Sequence, residues 1–221
     1  MGWGEFAAAY IAFFLSHALP IRPPIRQWLE ARLGRSGFTL AYSVLSIAIL
    51  GWLIGAAGRA PYVSLWPSAS WQNHVPVVVM VPVCLIIALS VARPNPFSFG
   101  GARNDSFDPA HPGIVRLTRH PLLLALALWA AAHLVPNGDL AHVFLFGTFA
   151  VFALLGGHLI DARKLREMGT DWQRLRKAVT QAPLFSRSVS GDVALRLAAG
   201  MLLYLGLIWL HPVIFGVSPL P

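Results

Sequence analysis

Eight histidines are many for a chain of 221 residues that is 56% hydrophobic and only 12% charged. His17, His120, His133, His142, His158 and His211 lie in or beside apolar stretches. A polar side chain within a bilayer is expensive, so each is a functional candidate. His142 and His211 fall near helix ends, where the interface hydrates them, and His74 and His111 lie in loops. Two are more telling. His17 follows Phe13-Phe14-Leu15-Ser16, and His133 closes Trp129-Ala130-Ala131-Ala132, a stripe of small residues that admits another helix or a flat ligand. A neutral imidazole in an apolar cleft is a natural axial ligand for haem iron. The plainer alternative is a histidine hydrogen-bonded across helices, and lone histidines do not decide between the two.

The run Gly113-Ile114-Val115-Arg116-Leu117-Thr118-Arg119-His120-Pro121 is more distinctive. Pro121 suits the first turn of a helix, where its missing N–H is harmless. Free N–H groups at that helix start, beside Arg116 and Arg119, make an anion site suited to a carboxylate, a phosphate or a haem propionate. The same residues equally describe a helix start anchored by arginines to lipid headgroups.

Acids are scarce, and no carboxylate pair is placed for hydrolysis. Asp161 ends an apolar run, Asp139 sits in a turn and Glu5 lies near the first span's outer edge. HExxH, GxSxG and phosphate-loop patterns are absent. The single cysteine, Cys84, excludes an internal disulfide and a cysteine-based metal site.

The elements that must position these residues follow from hydropathy. A membrane-crossing helix needs roughly 17–25 mostly apolar residues. The spacing predicts an all-α, polytopic transmembrane bundle of about six spans over 4–20, 38–57, 75–92, 121–136, 140–160 and 193–215, forming one domain over 1–221. Pro76 and Pro82 should kink the third span, and Pro136-Asn137-Gly138-Asp139 should turn the fourth into the fifth. No basic residue precedes the first apolar stretch, so it is expected to be a retained helix rather than a signal peptide.

The net charge of +8 would suggest nucleic acid in a soluble protein, but the positions of the charges argue against that. The first connection carries Arg22, Arg26, Arg32 and Arg35, and the third Arg93, Arg103, Arg116 and Arg119. The fifth runs from Arg163 and Lys164 to Arg187, whereas the second has only Arg59 and the fourth none. This alternation places loops one, three and five in the cytoplasm and both termini in the periplasm of a bacterial inner membrane. Leu165, Met168, Trp172, Leu175 and Val179 recur at helical spacing opposite basic residues. They predict a cytoplasmic interfacial amphipathic helix over 161–179, either a connector lying on membrane lipids or a lid over a site.

A set of motifs resembles the NnrU family over about residues 1–187. They are Ser16-His17, Arg22-Pro23, Arg93-Pro94-Asn95-Pro96, Gly113-Ile114 with Arg116, and Thr118-Arg119-His120-Pro121. Leu128-Trp129-Ala130, Ala132-His133-Leu134, Asn137-Gly138-Asp139 and Leu145-Phe146-Gly147 continue the match. The family is named for a role linked to nitrogen-oxide metabolism in denitrifying bacteria. Its relative 15-cis-zeta-carotene isomerase shares the GIxRxTRHP and AH elements and is a haem b membrane enzyme that shifts a double bond without net redox change. The resemblance implies haem b on His17 and His133, with Arg116 and Arg119 beside the cofactor and a small or lipophilic ligand. On the predicted spans His17 lies about 5–10 Å from the inner boundary and His133 about 18 Å, at 1.5 Å per residue. His120 and His158 share the level of His17 and are therefore the alternates.

A more distant likeness is to the isoprenylcysteine and methanethiol methyltransferases, whose RHPxYxG, EExxL and GxxY elements grip S-adenosylmethionine. Here Arg119-His120-Pro121 is followed by Asp161-Ala162-Arg163-Lys164-Leu165, Gly169 and Trp172. Leu123 and Ala125 replace the tyrosine and glycine, and Ala162 replaces one acid. Three functions therefore follow as expectations: a haem-dependent isomerase-like or redox-accessory protein, a membrane methyltransferase, or a non-catalytic membrane component.

Overall fold

The computed structural model describes residues 2–183 and 191–220, so Arg187 of the fifth connection lies outside the described residues. The elements are α1 (Trp3–Ala18), α2 (Pro23–Gly58), α3 (His74–Ser90), α4 (Pro121–Leu134), α5 (Leu140–Met168), α6 (Thr170–Gln181) and α7 (Gly191–Phe215). Among the described residues four stretches are long and apolar enough to cross a membrane: Pro23–Gly58, Ser70–Ser90, Leu140–Met168 and Gly191–Phe215. The first and fourth predicted spans form as α1, with 16 residues, and α4, with 14. At the helical rise these measure roughly 24 and 21 Å, short of a hydrocarbon core of roughly 30 Å.

By its internal packing the chain clusters into two compact units, described in turn. The first holds residues 1–66 and 138–145. In it α1 packs on α2, burying Phe6 and Ala9 of the one and Leu53, Ala56 and Ala57 of the other. Helix α2 begins fifteen residues before the predicted span, but it is broken at Gly34, whose φ of 71° no other residue type adopts readily. The first connection is thus itself helical, with Arg26 tied to Glu30 and Arg32 lying over the Trp28 ring. Arg59, the one cation of the second connection, pairs with Glu5 at 2.5 Å, so this end carries no unbalanced positive charge. Residues 63–66 run beside the 138–140 turn, with Leu140 N–H donating to Val63 and Leu65 N–H to Gly138. A Cβ at Gly138 would stand 2.5 Å from the Trp66 carbonyl oxygen, so only glycine fits there.

The second unit holds residues 67–137 and 146–221. Helix α3 packs on both α4 and α7. Pro76 falls in the first turn of α3, where a missing N–H is harmless, while Pro82 lies inside it and removes one helical hydrogen bond. Cys84 is fully buried, as packing. The α3–α7 contact is set by Gly200, where a Cβ would meet the Cys84 carbonyl and the Leu85 Cα at 3.1 Å. Tyr204 adds a hydroxyl hydrogen bond to the Val77 carbonyl at 3.0 Å. Helix α5 runs on past the predicted end at 160 to Met168, and Gly169 with φ of 59° starts α6.

A Cβ at Gly200 would also meet Leu85 Cδ2 at 3.0 Å, but turning that side chain away leaves the two backbone contacts in place. Gly200→Val is expected to destabilise the protein by roughly 1–3 kcal/mol. Gly206→Val, whose Cβ meets nothing within 4 Å, is expected to have little effect. Thermal unfolding of both variants in detergent checks the contrast.

Candidate functional site

The cluster forms where the 91–120 connection folds against the start of α4 and the last turns of α5. Pro121 occupies the first position of α4, as its fixed φ favours, which leaves His120 as the N-cap. Two small residues of α5 let α4 come close. A Cβ at Gly156 would lie 3.3 Å from Leu123, and one at Gly157 3.2 Å from the His120 ring. The imidazole therefore lies against the α5 backbone, and Asp161 follows one turn later.

Asp161 accepts from Arg119 at 2.5 Å (Nη2) and 3.3 Å (Nε), and from His120 Nε2 at 3.0 Å. A carboxylate only accepts, so His120 carries its proton on Nε2, and Nδ1 accepts from the Ser98 hydroxyl at 3.0 Å. Burial pushes the His120 pKa down, and attraction by Asp161 offsets part of that shift. The Arg119 carbonyl accepts from the Asn95 amide at 3.0 Å. Buried Asn95 spends its remaining groups locally: its N–H donates to Asn104 Oδ1, and its Oδ1 accepts from Phe97 N–H.

Below this polar set lies an apolar one. Phe97, Val115, Trp172 and Val179 are buried together, with Met168 and Leu175 packed against them. The apolar face of α6 thus meets protein, namely the folded 91–120 connection. The Arg119 and Arg176 guanidinium groups lie 5.8 and 5.3 Å from the Trp172 ring centre. Trp172 is 5% exposed, and its Nε1 is the buried side-chain donor without a partner among the described residues. Arg116 donates to the Ala182 carbonyl at 2.9 Å and so fastens the end of α6.

The sequence-derived candidates separate into three groups. Arg119 and His120 come together, joined by Asp161, Ser98 and Asn95, while Arg116 serves α6. His158 is exposed on α5, one turn before Asp161. His17 belongs to the first unit and His133 to the second. Each donates Nδ1–H to the carbonyl one turn back in its own helix, His17 to Phe13 and His133 to Trp129, both at 2.8 Å. His133 is flanked by Trp129 and Phe146, with ring centres 5.4 and 5.5 Å away. His211 differs: its Nδ1–H donates to the carbonyl of Val217, six residues on and beyond the end of α7. Among the described residues no group of three or more His, Cys, Asp or Glu side chains is placed to hold a metal ion. Sequence reasoning missed Ser98 and Asn95; the signal available for Asn95 was its place in Arg93-Pro94-Asn95-Pro96, where an Asx turn is favoured.

A helical membrane protein with histidines set singly in apolar helices, and with an Arg-His-Asp tie closing α4 onto α5, is the class this geometry defines. The chain belongs to the NnrU family: residues 5–219 match the family described as NnrU protein. No curated protein and no solved structure matches it.

Two outcomes are expected. The lowered His120 pKa means that its neutral form stabilises the fold above the usual imidazole value of about 6.5, and that this stability is lost as pH falls below it. The melting temperature of the wild type should therefore drop between about pH 6.5 and 5 by more than that of His120→Gln, which cannot titrate. Because Trp172 Nε1 has no partner to lose, Trp172→Phe is expected to cost well under the roughly 3–5 kcal/mol of Trp172→Ala, as read by melting in detergent.

Proposed function

We propose that this NnrU-family protein is an inner-membrane haem b protein with an isomerase-like or redox-accessory role linked to nitrogen-oxide metabolism, and that His133 and His17 are its iron ligands. The observation that carries this is the hydrogen bonding of the two imidazoles. A ligating histidine offers one unprotonated ring nitrogen and is oriented by a bond from the other, commonly to a backbone carbonyl. His133 and His17 each give Nδ1–H to such a carbonyl, which leaves the Nε2 lone pair available. His120 has no nitrogen to offer, since both are engaged.

Haem, when bound, supplies an iron centre that acts as a Lewis acid or a one-electron carrier. The chain holds and shields its ligands. Trp129 and Phe146 wall His133 with aromatic surface that excludes water, and Phe13 lies 4.2 Å from His17, with Tyr42 at 6.0 Å. The Ala130 and Ala132 positions, both buried, keep the helix face beside His133 slim. Six crossings, with the basic connections in the cytoplasm and both termini in the periplasm, complete the proposal. The Arg119–His120–Asp161 set, whose charges satisfy one another, acts as a structural tie rather than as a grip for S-adenosylmethionine.

Protein purified in mild detergent from haem-replete cells is expected to show a Soret band and a haem b pyridine spectrum. His133→Ala and His17→Ala should each abolish or shift the band, while His120→Gln, His158→Ala and His211→Ala should leave it unchanged. A colourless wild-type protein overturns the haem assignment, and a band that survives both alanine variants overturns the ligand pair.

A further inference from the structure

A cavity of about 320 Å³ lies in the second unit, between the end of α3, the start of α7 and the 91–120 connection. Its volume falls in the range of small-ligand sites. Its lining includes the basic residues Arg93, Arg103 and Arg196 and the apolar residues Leu89, Phe107 and Ile114. Two acids also line it, and both are already engaged. Asp192 pairs with Arg93 and with Arg196, and Asp108 accepts from His111 and from the Ala110 N–H. Arg196 also donates to the carbonyls of Ala88 and Val91, closing the end of α3. Arg103 is different: its guanidinium has no acid, carbonyl or ring partner among the described residues. Three arginines against two aspartates give the lining one unbalanced positive charge, and the residue that carries it, Arg103, is exposed.

The backbone singles out the same place. Ala92 and Arg103 are the two non-glycine residues with positive φ among the described residues, at 57° and 55°. L-residues rarely adopt that conformation, and it persists where the surroundings impose it, often at ligand sites. Here the surroundings are identifiable. Ala92 N–H donates to the Gly100 carbonyl, and the Arg103 carbonyl accepts both the N–H and the hydroxyl of Ser106. A Cβ at Gly101 would meet Asn104 Oδ1 at 2.8 Å and the backbone of Arg93 and Asn95 at 3.0 Å, so the loop is closely stacked on itself. Arg103 is thus held rigidly at its backbone while its charge is left free.

We propose that this cavity binds a net-anionic phosphate ester, with Arg103 as its principal contact and the apolar lining residues receiving the adjoining carbon skeleton. The planar guanidinium fork matches two phosphate oxygens, and a charge-assisted pair of this kind is among the stronger hydrogen bonds. The volume admits a headgroup or a small phosphorylated molecule, not acyl chains. The site is independent of the haem reading, and none of its residues ligates iron in that reading.

The test uses delipidated, detergent-purified full-length protein. It is titrated with phosphatidylglycerol in mixed micelles, with phosphatidylcholine as the zwitterionic comparison, and separately with glycerol 3-phosphate, each by native mass spectrometry. Saturable binding of phosphatidylglycerol or of glycerol 3-phosphate is expected, weakened roughly tenfold by Arg103→Gln. Arg174→Gln, an equal loss of charge on the exposed face of α6, should leave it unchanged. Binding of phosphatidylglycerol alone identifies a lipid headgroup, and binding of glycerol 3-phosphate a soluble ester. If Arg103→Gln does not fold, Arg103→Lys, which keeps the charge and loses the fork, reads the same contrast. Absence of saturable binding with both probes, or equal weakening by the Arg103 and Arg174 variants, overturns the proposal.

Discussion

Asp161 accepts hydrogen bonds from two adjacent residues, Arg119 and His120, that lie 42 and 41 positions earlier in the chain. Lipid tails are as apolar as leucine side chains, so helices in a bilayer gain little by hiding apolar surface from one another. What fixes one helix against another is close packing of small residues and a few polar ties. Here both act at the same place. Gly156 and Gly157 bring α5 within contact of Leu123 and His120, and the carboxylate one turn later pins the start of α4. Glycine without the acid would leave the helices free to slide, and the acid without glycine could not reach a buried imidazole.

The long connection before α4 hangs from this tie. A stretch of irregular chain stays ordered only if its backbone polar groups find partners and its apolar side chains find cover. Asn95 and Asn104 supply the first, reaching the Arg119 carbonyl and each other's neighbourhood. Phe97 and Val115 supply the second, under Trp172. The Arg119 guanidinium serves both sides, pairing with Asp161 and facing the Trp172 ring. Helix α6 consequently belongs to the protein fold, and its basic residues are what remain for the water or headgroup side.

The helices were legible in the sequence because apolar runs ending in arginine admit few alternatives. Helices α3, α4 and α7 lie within two residues of the runs over 75–92, 121–136 and 193–215. Hydropathy marks where lipid ends, however, not where helical hydrogen bonding ends. It therefore missed the helix before Gly34, and it set the break between the fifth span and the amphipathic helix at 160/161 where the chain breaks at Gly169. The amphipathic pattern of α6 was plain, but lipid and protein are equally apolar partners, so the pattern could not say which one covers it. The Arg116-to-His120 run was recognisable as a cluster. Its partners, Asp161 and the Ala182 carbonyl, are distant in sequence, and nothing local to a guanidinium records whether it faces an anion from outside or an acceptor within.

The histidines show what geometry adds to residue type. His120, His133 and His17 are alike in sequence terms, each a single imidazole at the edge of or within an apolar run. Their hydrogen bonds divide them. With Nε2–H given to a carboxylate and Nδ1 filled by a hydroxyl, His120 has spent its chemistry on structure. With Nδ1–H given to a carbonyl four residues back, His133 and His17 keep an unprotonated nitrogen, held in direction by their own helices. That bond requires no distant partner, so an α-helix supplies it wherever the rotamer allows, and it fixes the direction in which the other ring nitrogen points. A helix bundle with few polar residues can thus orient its imidazoles without the carboxylates that orient histidines in soluble metal sites, which suits a chain as poor in acids as this one.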